Sequence, residues 1–478
     1  MNARIARLLP IALLLGLASC FDDTVATVDL PVFTGNRVIY IADTDGDDAS
    51  ISGDEVFVAD TGSVSQTVTR MGNAGAPAYF DLPDAIGTSG AFVVRLVSDP
   101  TDGCPSNYRL VPRAGGPVES IFGGECVYAY ASNAAASRFV FIAKVGTTGT
   151  NLYVFDPADP AIVEQINVGN TGFPGTVSEM ALSANGATLF WEDATGVAAA
   201  DLTETLAQIR FSASLLVPGD QPTGLFPLAD GTGVIYAHSG EEKFKLVLIN
   251  NLGVFDLTNL LGGGDLLDRT ADSVRLSSNG ATLLYVATIG GVKQLLGLRV
   301  NSPFTEARAD SAITQLLQSG YSFEFSPDGL SYAWLGDDGT GNTVFSATVN
   351  APTNILTLTP VGEEPTGPIR WTDGATIAYI SSDADLVTPV GASALRIVNT
   401  GSPLNTYTVS PNESQGYFVG TVDTCSDGTL VYDLRFDGLV GSTTALYTAD
   451  PQSANSGFRI SPEIVAPSDE IFAISCVD

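Results

Sequence analysis

The densest group of candidate metal ligands is the stretch DTDGDDASISGDE, which starts at position 43. Asp43, Asp45, Asp47 and Asp54 occupy positions 1, 3, 5 and 12 of this stretch, which is the ligand spacing of a calcium-binding loop. Gly46 stands at position 4 instead of 6, and position 12 holds Asp rather than a bidentate Glu. The stretch therefore predicts either a Ca²⁺ site or a plain acidic turn.

The sequence offers few other residues that could bind a metal or carry out catalysis. The sequence contains a single histidine, His238, which excludes metal sites built from several histidines. No G-x-S-x-G motif offers a serine nucleophile to it. The 53 acidic residues are so numerous that close carboxylate pairs carry no catalytic signal. The sequence names no catalytic residue and no cofactor besides Ca²⁺, so an enzyme is the less favoured interpretation.

The first twenty residues, MNARIARLLPIALLLGLASC, have the pattern of an export signal. Two arginines precede an apolar run that is too short to span a bilayer. The residues LASC that end at Cys20 resemble a bacterial lipobox. This resemblance implies that residues 1–19 are removed, that Cys20 is lipidated and that residues 20–30 form a tether. The residue after Cys20 is not Asp, which favours the outer membrane; an ordinary secretory signal is the alternative.

The remaining cysteines number four: Cys104, Cys126, Cys425 and Cys476. If Cys20 carries lipid, these four can form two disulfides in three connectivities. The local connectivity, Cys104–Cys126 with Cys425–Cys476, keeps each bridge within one region. No C-x-x-C motif is present, so the bridges are predicted to be structural.

The formal net charge of −32 limits the partners. Such a surface repels phosphate backbones, which excludes nucleic-acid binding, and it also repels anionic lipid headgroups. Contact with a membrane is expected only through the lipid on Cys20.

A repeat organises the chain from about residue 34 to residue 450. Six copies share an Asp-Gly or Asn-Gly turn followed by an apolar strand, and the turn glycines are 45 to 54 residues apart: Gly186, Gly231, Gly280, Gly329, Gly374 and Gly428. Asp-Gly and Asn-Gly accept the positive φ angles of a tight hairpin turn. Three weaker copies lie upstream, so the sequence contains nine anchors. This period is that of a four-stranded propeller blade.

The repeats resemble those of TolB-type β-propellers, most clearly at residues 325–349 and 38–60. The resemblance implies an all-β chain in which residues 31–478 form a single β-propeller of four-stranded antiparallel blades. We expect eight blades, with seven and nine as alternatives. The C-terminal stretch EIFAISCVD is predicted to complete the first blade, with Cys425–Cys476 as its fastening.

The sequence indicates only a broad class of function. We expect a lipid-anchored envelope propeller that binds or scaffolds a protein or other ligand at a ring face or the central channel. The alternatives are an envelope glycan or peptide hydrolase or lyase that uses carboxylates at the channel, and a structural surface protein.

Overall fold

The structure is a computed structural model. It describes residues 36–43, 54–62, 68–70, 79–81, 91–97, 107–112, 119–120, 126–133, 138–144, 150–155, 163–166, 177–193, 196–202, 208–211, 222–238, 242–249, 253–258, 265–268, 273–300, 305–310, 315–316, 322–337, 339, 341–383, 393–411, 417–438, 441–461, 464–465 and 471–477. The regular elements in these residues are 39 β-strands, which form nine antiparallel sheets. We number the sheets as blades 1 to 9 in chain order.

Blades 1, 2 and 3 each have four strands in the described residues. Blade 1 begins with β1 (Arg37–Asp43), β2 (Asp54–Asp60) and β3 (Val68–Arg70). Blade 2 contains β4 (Tyr79–Asp81), β5 (Ala91–Val97), β6 (Asn107–Pro112) and β7 (Glu119–Ser120). Blade 3 contains β8 (Cys126–Ser132), β9 (Phe139–Lys144), β10 (Thr150–Phe155) and β11 (Val163–Ile166).

The next three blades follow the same order. Blade 4 contains β12 (Val177–Leu182), β13 (Thr188–Asp193), β14 (Gly196–Asp201) and β15 (Gln208–Phe211). Blade 5 contains β16 (Pro222–Pro227), β17 (Gly233–His238), β18 (Lys243–Leu248) and β19 (Gly253–Asp256). Blade 6 contains β20 (Leu266–Leu267), β21 (Val274–Leu276), β22 (Thr282–Ile289), β23 (Val292–Arg299) and β24 (Thr305–Arg308).

The last three blades contain the longest strands. Blade 7 contains β25 (Gln315–Leu316), β26 (Phe323–Phe325), β27 (Ser331–Asp337), β28 (Asn342–Thr348) and β29 (Ala351–Thr357). Blade 8 contains β30 (Glu363–Trp371), β31 (Thr376–Asp383), β32 (Ser393–Asn399) and β33 (Ser402–Thr408). Blade 9 contains β34 (Tyr417–Thr424), β35 (Leu430–Gly438), β36 (Gly441–Ala449), β37 (Phe458–Arg459) and β38 (Ile464–Val465), and the chain ends with β39 (Ile471–Val477).

In blades 2 to 9 the first strand lies nearest the centre of the ring, and in blade 1 this place is taken by β39. The inner strands of neighbouring blades contact one another, as β8 with β12, β12 with β16, β30 with β34 and β34 with β39. In blades 6 and 7 this inner strand is made of two pieces that pair with the same second strand. An inner strand pairs on one side only, which explains why β30 accepts both Pro365 and Pro368.

In the blades whose burial the structure describes, the second strand is the hydrophobic centre. In β22, the six residues from Thr282 to Ala287 are all buried, because both faces of the sheet pack on neighbouring blades. The buried clusters accordingly join one blade to the next. Leu284 of blade 6, for example, shares a cluster with Trp334 of blade 7. Since a single blade cannot bury both of its faces, the ring is what makes each blade stable.

The turn between the first and second strands explains the repeated sequence motif. In blade 7, the Ser326 hydroxyl donates to Asp328 Oδ1 at 2.6 Å and accepts from Ser331 N at 2.9 Å. Asp328 Oδ1 also accepts from Leu330 N at 3.0 Å, and Gly329 takes a φ of 68°. Five of the six predicted turn glycines have positive φ; Gly374 does not.

The ring closes through the C-terminal strand. β39 pairs antiparallel with β1, with Arg37 opposite Val477, so it is the inner strand of blade 1. The Cys425–Cys476 disulfide joins it to blade 9 with a Cα–Cα distance of 5.1 Å. The predicted return of the C-terminal stretch is therefore confirmed, and so is the bridge that fastens it.

The all-β propeller of four-stranded antiparallel blades is confirmed, but eight blades are not. The described residues form nine sheets, one for each sequence anchor and at the upper end of the expected range. The second strands β1, β5 and β9 arise from the three weak anchors. In the same described residues, no helix has the length and apolar character to cross a membrane.

Candidate functional site

Four charged side chains occupy one equivalent position on the inner strands of four consecutive blades. They are Arg275 of blade 6, Glu324 of blade 7, Arg370 of blade 8 and Asp423 of blade 9, and we call them the channel quartet. Each is paired with the residue that precedes the buried aromatic residue of the second strand; these partners are Leu284, Ala333, Ala378 and Val431, respectively. All four are half-buried. The fold thus places charges of alternating sign along one side of the channel.

The two carboxylates of the quartet are held by the backbone of the following blade. Glu324 Oε2 accepts a hydrogen bond from Trp371 N at 3.1 Å. Asp423 Oδ2 accepts one from Cys476 N at 2.9 Å, at the junction where the ring closes. These bonds fix the carboxylates between blades, and hydrogen bonds to charged acceptors are stronger than neutral ones.

The two arginines of the quartet are held in a common way. Arg275 Nη1 donates to the carbonyl of Val274 at 3.0 Å, and Arg370 Nη1 donates to the carbonyl of Ile369 at 3.1 Å. Each guanidinium therefore bends back onto the residue before it. The Arg275 guanidinium also lies over the Phe323 ring of the next inner strand, 5.9 Å from its centroid.

The members of the quartet interact electrostatically. Desolvation raises the pKa of Glu324 above its ordinary value. The positive charge of Arg370, the hydrogen bond from Trp371 N and the positive charge of Arg275 each oppose that rise, whereas the negative charge of Asp423 adds to it. The other three members of the quartet thus all contribute to the electrostatic environment of Glu324.

The opposite side of the channel is apolar at the same position. The equivalent residues of blades 3, 4 and 5 are Ala131, Ala181 and Phe226, paired with Val140, Phe190 and Ile235. An inner strand therefore forms without a charge at this position.

A bulge interrupts several inner strands just before this position. The register shifts in β8, β12, β16, β30 and β34. In β16 the bulge contains Gly224, whose φ of 72° favours glycine. The freed N–H groups of Gly224 and Leu225 donate to the Glu179 carboxylate of blade 4, at 2.9 Å each. A carboxylate on the apolar side thus also joins two blades.

Blade 8 contains a second polar cluster, with one residue from each strand. The Glu363 carboxylate accepts hydrogen bonds from Tyr379 Oη, from Arg396 Nη1 at 3.2 Å and from Thr406 Oγ1 at 2.6 Å. Burial, and secondarily the Glu363 charge, raise the pKa of the Tyr379 hydroxyl. Because three donors satisfy this carboxylate within one sheet, the cluster stabilises the blade.

The predicted Ca²⁺ ligands are only partly described. Asp43 ends β1 and Asp54 begins β2, and the two are paired across the hairpin. Asp45 and Asp47 lie outside the described residues, so the Ca²⁺ site stays a prediction. Within the part of the chain that the structure describes, no three His, Cys, Asp or Glu side chains are grouped as metal ligands would be.

Other predicted residues also lie beyond the described part. Cys20 and the signal and tether segments fall outside it, as does Cys104, so the Cys104–Cys126 bridge stays a prediction. Cys126 is the first residue of β8. His238 is the last residue of β17.

Sequence reasoning missed the channel quartet. Each of its members stands four or five residues before a turn glycine, in the segments VRLSSNG, FEFSPDG, IRWTDG and VDTCSDG. The sequence feature that could have identified these residues is a charge inside a short apolar strand. This feature is apparent only when the repeats are aligned on their turns.

Comparisons with known proteins identify the fold. No protein-family model and no curated protein matches the chain. Among solved structures, dipeptidyl peptidase 4 of Porphyromonas gingivalis is 9% identical with a TM-score of 0.53, and the match covers 79% of this chain but 59% of the peptidase. A eukaryotic initiation factor is 9% identical with a TM-score of 0.51, covering 92% of this chain and 97% of that one. At these identities the similarity concerns the fold alone, and with the closed ring of sheets it establishes that the chain is a β-propeller.

Proposed function

We propose that the protein is a lipid-anchored β-propeller of the cell envelope that binds a protein or other ligand on the channel side of blades 6 to 9. The observation that carries this proposal is the channel quartet. Blades 3, 4 and 5 form with Ala131, Ala181 and Phe226 at the same position, so the charges of blades 6 to 9 are not needed to build a blade. Half-buried charges lose hydration, and a bound ligand with complementary groups would offset that cost.

Photo-crosslinking tests this binding role. A photoreactive residue replaces Thr366, which is exposed on the inner strand β30, or Thr353, which is exposed on the outer strand β29. After irradiation of intact envelopes, we expect a discrete adduct from position 366 and none from position 353. Absence of an adduct at position 366 would contradict binding at the channel and would favour a structural surface role.

The proposal also includes the location of the protein, at the outer membrane through a lipid on Cys20. The LASC segment ending at Cys20 supports lipidation and the outer membrane, and the turn and strand sequences support a TolB-type repeat. Labelling with a radioactive fatty acid is expected to mark the wild-type chain and not the Cys20→Ser variant. Equal labelling of both chains would overturn the lipid anchor.

Binding is favoured over catalysis by the composition of the quartet. The enzyme alternative requires three or more acids that converge at one end of the channel with apolar walls. Among the described residues, the quartet combines two acids with two arginines, and both acids accept backbone N–H groups. Groups arranged in this way suit ligand recognition better than paired general acid and base chemistry.

A further inference from the structure

We infer that the ring is anchored with one particular face toward the membrane, so that a soluble ligand of the channel enters from the opposite face. This inference rests on the proposed lipid on Cys20 and goes beyond it by assigning a role to each face of the ring. The observation behind it is the place at which the chain that leads from Cys20 enters the ring.

The two faces of the ring differ in the connections that they carry. Each second strand starts at the turn after the first strand and ends at the hairpin before the third strand. In blade 7 these are the turn at residues 326–331 and the hairpin that joins Asp337 to Asn342. The turns of neighbouring blades contact one another, since Ser278 Oγ donates to the Pro327 carbonyl at 2.9 Å. We call the side with the turns of blades 4 to 9 the turn face and the other side the hairpin face.

The chain that leads from Cys20 enters the ring at the turn face. β1 is the second strand of blade 1, and its first residue, Arg37, is paired with Val477 at the end of the inner strand β39. In blade 7 the corresponding residues are Phe325 and Tyr332, which the turn connects. The chain therefore reaches β1 at the place where the other blades have their turn.

The length of the connecting chain favours a membrane on the turn face. Asn36 lies 16 residues after Cys20, so the connection spans at most about 58 Å. To reach a membrane on the hairpin face, it would have to cross the two strands outside β1, about 10 Å, and then follow the seven residues of β1, about 23 Å. This path would use more than half of the full extension and would cost conformational entropy. A membrane on the turn face requires no such path.

Charge does not distinguish the two faces. The turn face carries Asp230, Asp328 and Asp373, which are all exposed. At the hairpin face, the second strands β13 and β27 end with Asp193 and Asp337. Acidic residues on either face repel anionic headgroups. The position of the anchor therefore decides which face lies toward the membrane.

This orientation gives the two ends of the channel different surroundings. The end on the turn face lies toward the bilayer, and the end on the hairpin face opens away from it. A soluble protein or other soluble ligand therefore reaches the channel quartet from the hairpin face.

Energy transfer to a labelled lipid tests the orientation of the full lipidated chain. A fluorescent amino acid replaces either Leu330 on the turn face or Leu266 near the hairpin face, and these leucines are 54% and 55% exposed. Leu266 is paired with Thr288, the next-to-last residue of β22. The chain is anchored in phosphatidylcholine vesicles that carry the acceptor on a lipid headgroup. We expect transfer from position 330 to be at least about twofold greater, because the length of an eight-residue strand, about 25 Å, separates the two faces.

Two controls relate the orientation to the anchor. Cys20→Ser removes the lipid, and transfer from both labelled positions should disappear. Insertion of about 20 Gly and Ser residues after residue 30 lengthens the tether, and the difference between the two positions should shrink. If a labelled variant fails to fold, Pro327 on the turn face and Val292 beside the hairpin of blade 6 are exposed alternatives.

Equal transfer from the two positions, or greater transfer from position 266, would overturn the inference. A difference that is unchanged by the longer tether would also overturn it, because the tether would then not set the orientation. Either result, with fatty-acid labelling of the wild-type chain, would keep the lipid anchor and reject only the orientation. Absence of fatty-acid labelling, or transfer that persists in Cys20→Ser, would reject the anchor and the orientation together.

Discussion

The two sides of the channel differ although their blades are built alike. On one side, blades 6 to 9 carry Arg275, Glu324, Arg370 and Asp423; on the other, the same register position in blades 3 to 5 holds alanine or phenylalanine. Both sides share the turn, the buried second strand and the bulged inner strand. The comparison shows that the repeat builds the ring with either a charged or an apolar residue at this inner-strand position.

The largest effect on stability is expected at the junction between blade 9, on the charged side, and blade 1. Replacing Cys425 and Cys476 with serine removes a disulfide that closes a loop of 51 residues. We expect the free energy of unfolding to fall by about 4 kcal/mol, because the unfolded chain gains conformational freedom. Chemical denaturation of the wild type and the double variant measures it. Equal stability would show that β39 holds its place without the bridge.

The next-largest effect is on the free energy of unfolding when a carboxylate that joins two blades is removed. One such carboxylate lies on the apolar side of the channel and one on the charged side. Glu179→Ala loses two charge-assisted hydrogen bonds and should cost about 3 kcal/mol, whereas Asp423→Ala loses one and should cost about 1.5 kcal/mol. Urea unfolding of the two variants measures both costs. Equal costs would show that the second hydrogen bond of the Glu179 carboxylate adds nothing to the contact between blades.

The turns should respond alike on both sides. A Cβ at Gly428 would lie 2.9 Å from the Thr372 carbonyl oxygen, and one at Gly231 would lie 2.7 Å from Thr188 Oγ1. Both glycines have positive φ, so alanine should cost about 2 kcal/mol at either position, from strain and crowding.

The matched control for these turns is Gly291→Ala. Gly291 also has positive φ, at 82°, but a Cβ there would meet open space, so the cost should be about 1 kcal/mol. Thermal or urea unfolding of the three variants compares them. A larger cost for Gly291→Ala than for the other two would show that the neighbouring blades do not press on the turns.

The smallest effect concerns pH. Because the pKa of Glu324 is raised in the folded protein, its contribution to stability is complete below the ordinary glutamate pKa and is lost as pH rises through the folded value. Glu324→Gln keeps an acceptor for Trp371 N but does not titrate. Relative to the wild type, the variant should therefore be more stable at neutral pH than at about pH 4. Urea unfolding at both pH values measures the difference, and a gain at acidic pH would contradict it.

The sequence predicted the blades because their determinants are local. The spacing of Gly186 to Gly428 marks the turns, and the buried run at Thr282 follows from an apolar strand that lies between two neighbours. The closing strand and the Cys425–Cys476 pair were also foreseen, since one odd strand with one cysteine remained at the end. The expectation of eight blades assumed that one of the nine sequence anchors forms no blade of its own, whereas the described residues form nine sheets.

The channel quartet could not be predicted in the same way. Arg275 and Arg370 are 95 positions apart, and nothing local relates them; only the ring brings their strands to the same side of the channel. The pKa of Glu324 likewise depends on charges from three other blades. The periodicity of the sequence describes a single repeat, whereas the channel quartet is formed by residues from four repeats.

The pairing of β39 with β1 has a consequence for how the protein is made. Until residues 471–477 pair with it, β1 exposes an unpaired strand edge. The ring can be completed only after these residues have been synthesised. A chain truncated before residue 471 would keep this edge exposed, and exposed strand edges promote aggregation.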